Sequence, residues 1–167
     1  MSLAEFETLP AGLHAEWVRG EVIVSPPGEI PHQAIGSRIL VLLATSLPDL
    51  VVIQEGGMRA GASRRIPDVL ALRHEEKTMW AEEPPVLVVE VLSPSTRSED
   101  LFRKPEEYRA AGVEQYWIVD RVLRSLTVLT NTDGGWDVTL ELHDSNSRGE
   151  VDVAGYGVVR LDLDKLL

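Results

Sequence analysis

A mixed α+β fold, with a central sheet flanked by helices, is what this sequence predicts. Three observations point there. Hydrophobic residues make up 44% and charged residues 26% of a 167-residue chain, which is ordinary globular usage. Two segments carry apolar residues at helical spacing, while most of the rest reads as short strands separated by Pro and Gly. The element order is hairpin, helix, three strands, helix, strand and an antiparallel extension, neither a strict βαβ alternation nor an all-β pattern. No internal repeat or low-complexity tract interrupts the chain, so residues 1–167 are expected to form a single domain.

Ala15-Glu16-Trp17-Val18 and Glu21-Val22-Ile23-Val24 flank Arg19-Gly20, the two-residue turn of a hairpin, and Ser25-Pro26-Pro27-Gly28 ends it. From Pro31 to Leu47, Ile35, Ile39, Leu42, Leu43 and Leu47 recur at helical spacing, so this helix should lay one face on a sheet. After Pro48-Asp49, the runs Leu50 to Gln54, Arg65 to Leu72 and Pro85 to Leu92 read as strands. The last is apolar on both faces and belongs in the middle of a sheet. The polar segment Ser93 to Arg103 leads into a second helix ending near Gly112, where glycine suits a C-cap. The strand Gln115 to Asp120 follows, then strands Ser125 to Thr130 and Trp136 to Leu142 around a turn at Asn131 to Gly135, and a short closing segment from Leu161 to Leu167. The strands between Leu126 and Leu142 would let two copies pair across a two-fold axis, the basis for expecting a homodimer.

Composition removes several classes of function. With no cysteine, disulfides, thiol catalysis and cysteine-ligated zinc are excluded. The start, MSLAEFETLP, lacks the basic patch and apolar run of a secretory signal, and no apolar stretch approaches the roughly 18 residues of a membrane span. A cytoplasmic protein with no membrane partner is expected. The net charge of -11 repels nucleic acid at long range, so only a local basic surface would bind it. Residues 59–111 hold nine of the sixteen Lys and Arg. No His-Glu-x-x-His, Gly-rich phosphate loop or Gly-x-Ser-x-Gly occurs, and His14, His32, His74 and His143 lie far apart.

The most informative residue is Glu90. Strand alternation puts it on a face with Val86, Val88 and Leu92, while Leu87, Val89 and Val91 line the other, so neither face is polar. An ionised carboxylate there costs several kcal/mol unless a cation, a metal or hydrogen bonds compensate. Asp68 repeats the pattern one strand earlier, sharing a face with Ile66, Leu70 and Leu72. Each acid alone reads as a strand-end or turn residue reaching water or an arginine. Two on successive apolar strands, about 4.8 Å apart, can share one divalent ion, and such hard oxygen donors favour Mg²⁺ or Mn²⁺ over zinc. Lys104 lies in line with Leu101, Tyr108 and Ala111 on the next helix, either neutralising the acids or snorkelling to water.

Pro67-Asp68, then Val88 to Thr96, Asp100, Lys104, Tyr108, Gly112-Val113 and Tyr116 to Asp120 together resemble, in order and spacing, the bacterial Uma-two family, a restriction endonuclease family of the PD-(D/E)XK nuclease superfamily. The resemblance spans nearly the whole chain. It implies a restriction-endonuclease-like core of about four central strands between two helices. It makes Asp68 and Glu90 metal ligands, completed by the main-chain carbonyl of Val91. The superfamily's usual lysine position, two residues after the glutamate, is Leu92 here, and Lys104 on the helix replaces it. Glu21, in the hairpin, matches a family acid that either approaches the metal or sits in water. His32 matches a histidine at a helix start, contacting phosphate or capping and packing. Tyr108 orients the lysine or fills the core, and Asp100 is a turn or helix-start residue with a supporting role at the site.

Pro105 follows Lys104 directly, and a residue before proline avoids the helical region, so the helix is expected to begin at Pro105 with Lys104 at its cap. The function that follows is Mg²⁺-dependent (or Mn²⁺-dependent) hydrolysis of nucleic-acid phosphodiesters, DNA foremost, by Asp68, Glu90 and Lys104. Arg59, Arg64, Arg65, Arg97, Arg103 and Arg109 either form a local nucleic-acid track or pair with nearby glutamates. The competing function is a nuclease fold that has lost catalysis and serves as a binding or assembly module.

Overall fold

The branched run after Pro85 forms the strand around which the rest is arranged. The structure, a computed structural model, describes residues 1–10, 13–26 and 28–167; Pro27, in the expected break after the hairpin, lies outside them. In chain order the elements are α1 (Leu3–Phe6), the hairpin β1 (Ala15–Val18) and β2 (Glu21–Val24), α2 (Ile30–Ser46), β3 (Val51–Gln54), β4 (Gly57–Ala60), β5 (Ser63–Arg65), β6 (Val69–Leu72), β7 (Trp80–Ala81) and β8 (Leu87–Val91). A π-helical turn (Glu99–Arg103) then runs into α3 (Lys104–Ala111), followed by β9 (Gln115–Asp120), β10 (Ser125–Thr132), β11 (Gly135–Leu142), β12 (Arg148–Asp152), β13 (Val158–Asp162) and α4 (Leu163–Leu166).

Six strands form the main sheet in the order β11-β10-β9-β8-β6-β3. Within it β8 and β9 are parallel, the π-turn and α3 supplying the crossover, and the other neighbours are antiparallel, so the sheet is mixed as the element order predicts. Alternation along β8 divides the core. Leu87, Val89 and Val91 join Ile35, Ile39 and Leu43 of α2 and the C-terminal Val159, Leu161 and Leu163 on one face. Val88 joins Leu70, Leu72, Tyr108, Val113 and Tyr116 on the face covered by α3. Val86, just outside the strand, packs with the first group rather than with Val88.

Two further sheets were not anticipated: β2-β1-β5-β4-β7, and the pair β12-β13. The expected single strand Arg65 to Leu72 is a corner. Pro67 has no N–H to give a ladder, and the chain leaves β5 in one sheet and enters β6 in the other on either side of it. The hairpin turn is as read, with Arg19 and Gly20 both left-handed (φ 51° and 97°), the combination its two-residue loop needs. Among the described residues no helix is long and apolar enough to cross a membrane.

Candidate active site

In the antiparallel pairing of β6 and β8, Val69 faces Val89, Leu70 faces Val88 and Ala71 faces Leu87. Continuing that register by one residue sets Asp68 opposite Glu90, and residues directly opposite share a face with their Cβ atoms about 5 Å apart. The two acids singled out from sequence are thus both brought to the end of β8. Asp68 Oδ2 accepts the Val91 N–H at 2.6 Å, which pins its carboxylate to the partner strand.

Lys104 reaches Glu90, contrary to the expected placement at a helix cap. Its backbone is fully helical (φ -59°, ψ -41°) despite preceding Pro105, and its N–H bonds to the carbonyl of Glu99, five residues back. The π-turn resolves the conflict: the wider turn makes room where an ordinary helix would meet the proline ring, and such bulges recur at functional sites. It also shifts the inward stripe by one residue. Asp100, not Leu101, is the buried residue a turn before Lys104. The segment is held from outside, because Tyr116 donates its hydroxyl to the Asp100 carbonyl at 2.8 Å and the Trp136 indole donates to the Pro105 carbonyl at 2.9 Å.

The resulting cluster is buried. Lys104 Nζ donates to Glu90 Oε1 at 2.8 Å, and the Tyr108 hydroxyl donates to the same oxygen at 2.6 Å. Asp100 Oδ1 lies 2.8 Å from Lys104 Nζ, a charge contact not aligned as a hydrogen bond, while its Oδ2 is buried without a partner. Burial, with the carboxylates of Asp100 and Asp68, pushes the Glu90 carboxyl well up against the pull of Lys104. Burial alone would drive the lysine down, but Glu90 and Asp100 outweigh it and hold Lys104 above its usual value. Burial beside Glu90 likewise pushes the Tyr108 phenol up, so it stays a donor. Two acids share one buried ammonium, leaving the pocket short of positive charge.

His32, from the first turn of α2, places Nε2 2.8 Å from the Val91 carbonyl oxygen and 3.3 Å from Asp68 Oδ2. Its hydrogen bond to Asp68 holds the imidazole above its ordinary pKa in spite of burial. Glu21 is exposed on the edge strand β2 and makes no ion pair or side-chain hydrogen bond among the described residues. The hairpin acid that turns inward is Glu16, which was not singled out. It accepts from Arg65 at 3.0 Å and from the Ile66 N–H at 2.8 Å. Alternation in Ala15-Glu16-Trp17-Val18 carried the signal, since Glu16 shares a face with the buried Val18.

The arginines pair rather than form a track. Arg59 meets Glu82, Arg64 meets Glu7, Arg97 meets Asp120 and Arg103 meets Glu99. Arg65, wholly buried, is shared by Glu16, Glu99 and Glu107. Arg109 has a buried Nε with no partner.

Among the described residues, no group of three or more His, Cys, Asp or Glu side chains is arranged to hold a metal ion. The donors suit a smaller set completed by backbone. Asp68 is held against the end of β8 by the Val91 N–H, Glu90 lies in the same strand, and the excess of buried negative charge, with Asp100 Oδ2 unpartnered, is of the kind a cation relieves. Hard oxygen donors of this kind suit a divalent metal ion.

A mixed sheet with helices on both faces and this site at the end of its central strand is a nuclease-like fold. It matches the crystal structure of a putative nuclease belonging to DUF820 from Anabaena variabilis ATCC 29413, with a TM-score of 0.81 and 17% identity, over 99% of this chain and 97% of that one. The family described as Uma2, putative restriction endonuclease, matches residues 3–155, and the chain belongs to it. No curated protein matches the chain.

Proposed function

We propose that this chain is a metal-dependent phosphodiesterase, an endonuclease acting on nucleic acid, with DNA as the first substrate to test and Mg²⁺ or Mn²⁺ as the cofactor. What supports the reading is the buried contact of Lys104 with Glu90 at the end of the central strand to which Asp68 is also hydrogen-bonded, in a chain of a restriction endonuclease family. Asp68, Glu90 and the Val91 carbonyl would hold the ion, which when bound supplies Lewis-acid polarisation of the phosphodiester and a water of lowered pKa. The chain's own groups do the rest. Lys104, held protonated, donates hydrogen bonds and does not act as a base, so it orients the attacking water or offsets charge building on the phosphoryl oxygens. Tyr108 fixes the Glu90 carboxylate from the other side, and the Val91 N–H fixes Asp68.

The test is incubation of purified protein with single- and double-stranded DNA and RNA plus Mg²⁺ or Mn²⁺. DNA cleavage is expected, falling about a hundredfold or more in Asp68→Asn and in Lys104→Met. Cleavage undiminished in Asp68→Asn would mark a contaminant and sink the reading.

A second reading, a non-catalytic binding or assembly module, is favoured by the net charge of -11 and by the pairing of Arg59, Arg64, Arg65, Arg97 and Arg103, which leaves little free basic surface. Under it, Mn²⁺ leaves the melting temperature unchanged. We further propose a cytoplasmic protein, one domain over residues 1–167, with copies pairing through β11, the edge of the main sheet. One cooperative melting transition and a dimer mass by light scattering are the expected results.

A further inference from the structure

Tyr116 and Trp136 hold the π-turn through two backbone carbonyls. Its side chains have a third holder, in the other sheet. Arg65, the last residue of β5, is wholly buried and donates from Nη2 to Glu99 at 3.2 Å and from Nε to Glu107 at 2.7 Å. Glu99 opens the π-turn and Glu107 lies in α3, so the two stand on either side of Lys104. That both reach one guanidinium is a condition on the turn between them. At about 100° per residue, side chains eight positions apart in sequence lie about 80° apart around an ordinary helix. The extra residue of a π-turn absorbs about one such step and brings Glu99 and Glu107 to within about 20° of one line. Were the turn to tighten, one glutamate would swing off the guanidinium, and Lys104 between them would turn away from Glu90.

We infer that Arg65 is a positioning residue for Lys104: by spanning Glu99 and Glu107 it keeps the π-turn in register and the ammonium against Glu90. The inference deepens the nuclease reading and rests on it for what Lys104 does in turnover. The geometry separates this role from plain stability. Glu16 accepts from the remaining nitrogen, Nη1, at 3.0 Å on the hairpin side and takes no part in spanning the turn. Glu16 keeps 11% of its side-chain surface in water and Glu99 31%, so losing Glu16 should cost the fold more, whereas losing Glu99 should free Lys104 more. A planar fork is needed for the task, because the point charge of a lysine does not hold two carboxylates in fixed directions.

The test uses the full chain without metal or substrate and reads its lysine ammonium groups by nitrogen NMR. Lys77 and Lys165 are exposed and exchange their protons quickly with water, whereas Lys104, buried and bonded to Glu90 Oε1, should give one slowly exchanging signal. Glu99→Ala and Arg65→Lys are expected to lose that signal, while Glu16→Gln keeps it although it melts at a lower temperature than Glu99→Ala. In the cleavage assay Glu99→Ala should lower kcat by up to about a hundredfold with KM little changed. No protected ammonium in wild type, a signal that survives in folded Glu99→Ala, or one lost equally in Glu16→Gln overturns the inference. The expected signals in a chain that cleaves no nucleic acid uphold the positioning and overturn the nuclease reading instead.

Discussion

Two buried cations in this molecule face an excess of acid, and the two regions resolve it differently. Arg65 meets Glu16, Glu99 and Glu107 through separate guanidinium nitrogens, and those carboxylates keep 11%, 31% and 10% of their side-chain surface in water. Lys104 meets Glu90 and Asp100, which keep only 4% and 1%. Around Arg65 the surplus charge is screened by solvent, with one Glu107 oxygen left unpartnered, and the planar fork ties the hairpin sheet to the π-turn and α3. Around Lys104 the surplus has no solvent to relieve it. Arg65 therefore acts as a structural knot, whereas the Lys104 cluster has the imbalance expected of a site that takes up a cation.

Removing each cation tests the contrast most severely. Arg65→Met strands three glutamates and should cost up to about 5 kcal/mol, read by urea unfolding. Lys104→Met should cost about 3 kcal/mol at pH 7 in the absence of metal. Its loss should shrink as pH falls: the Glu90 carboxyl is already raised, and removing the ammonium raises it further. An acid whose folded pKa lies above its unfolded value of about 4.3 destabilises the fold above that raised value and ceases to do so once protonated.

Removing one acid from each cluster should give opposite signs. Glu16→Gln weakens its charged bond to Arg65 and should lose about 1–3 kcal/mol. Glu90→Gln keeps an acceptor for Lys104 and Tyr108 while removing surplus charge, so thermal melting should show it unchanged or about 1 kcal/mol more stable, a loss instead pointing to a balanced pair. Asp120 sharpens the point, being a buried acid with enough donors. Burial would raise it, but the N–H groups of Leu123 and Val122 and the Arg97 guanidinium outweigh that and hold it low. Asp120→Asn should cost about 1 kcal/mol at neutral pH. The stability Asp120 contributes is fully present above its ordinary value of about 3.9 and lost as pH falls through its lowered one, so the cost should vanish in acid. Glu21→Gln, at an exposed edge, should change stability by less than about 0.5 kcal/mol.

Much of this was legible in the sequence where pattern and chemistry agree. The hairpin and the strand Gln115–Asp120 fall where alternation puts them, and α2 runs Ile30–Ser46 against an expected Pro31 to Leu47. Asp68 and Glu90 stand out because an acid in an oily strand is costly. What could not be read lies where tertiary structure decides. The corner at Pro67 looks like one strand because its flanks are both extended. The strands β4, β7 and β12 are short or rich in glycine and charge, with little alternation to detect. The π-turn is invisible because the local rule at Pro105 argues for a helix start, and only the packing of Tyr116 and Trp136 on that segment overrides it. Glu16 was missed because a glutamate in a four-residue edge hairpin ordinarily faces water. Its burial depends on Arg65, forty-nine residues away.

The central claim, that Asp68 and Glu90 create a cation site beside Lys104, is tested most directly by melting wild type and Glu90→Gln across a Mn²⁺ titration. At a hundred times Kd a bound ion adds about 2.7 kcal/mol, so wild type should gain roughly 5–10 °C while Glu90→Gln gains nothing. No gain in wild type, or an equal gain in both proteins, would contradict it.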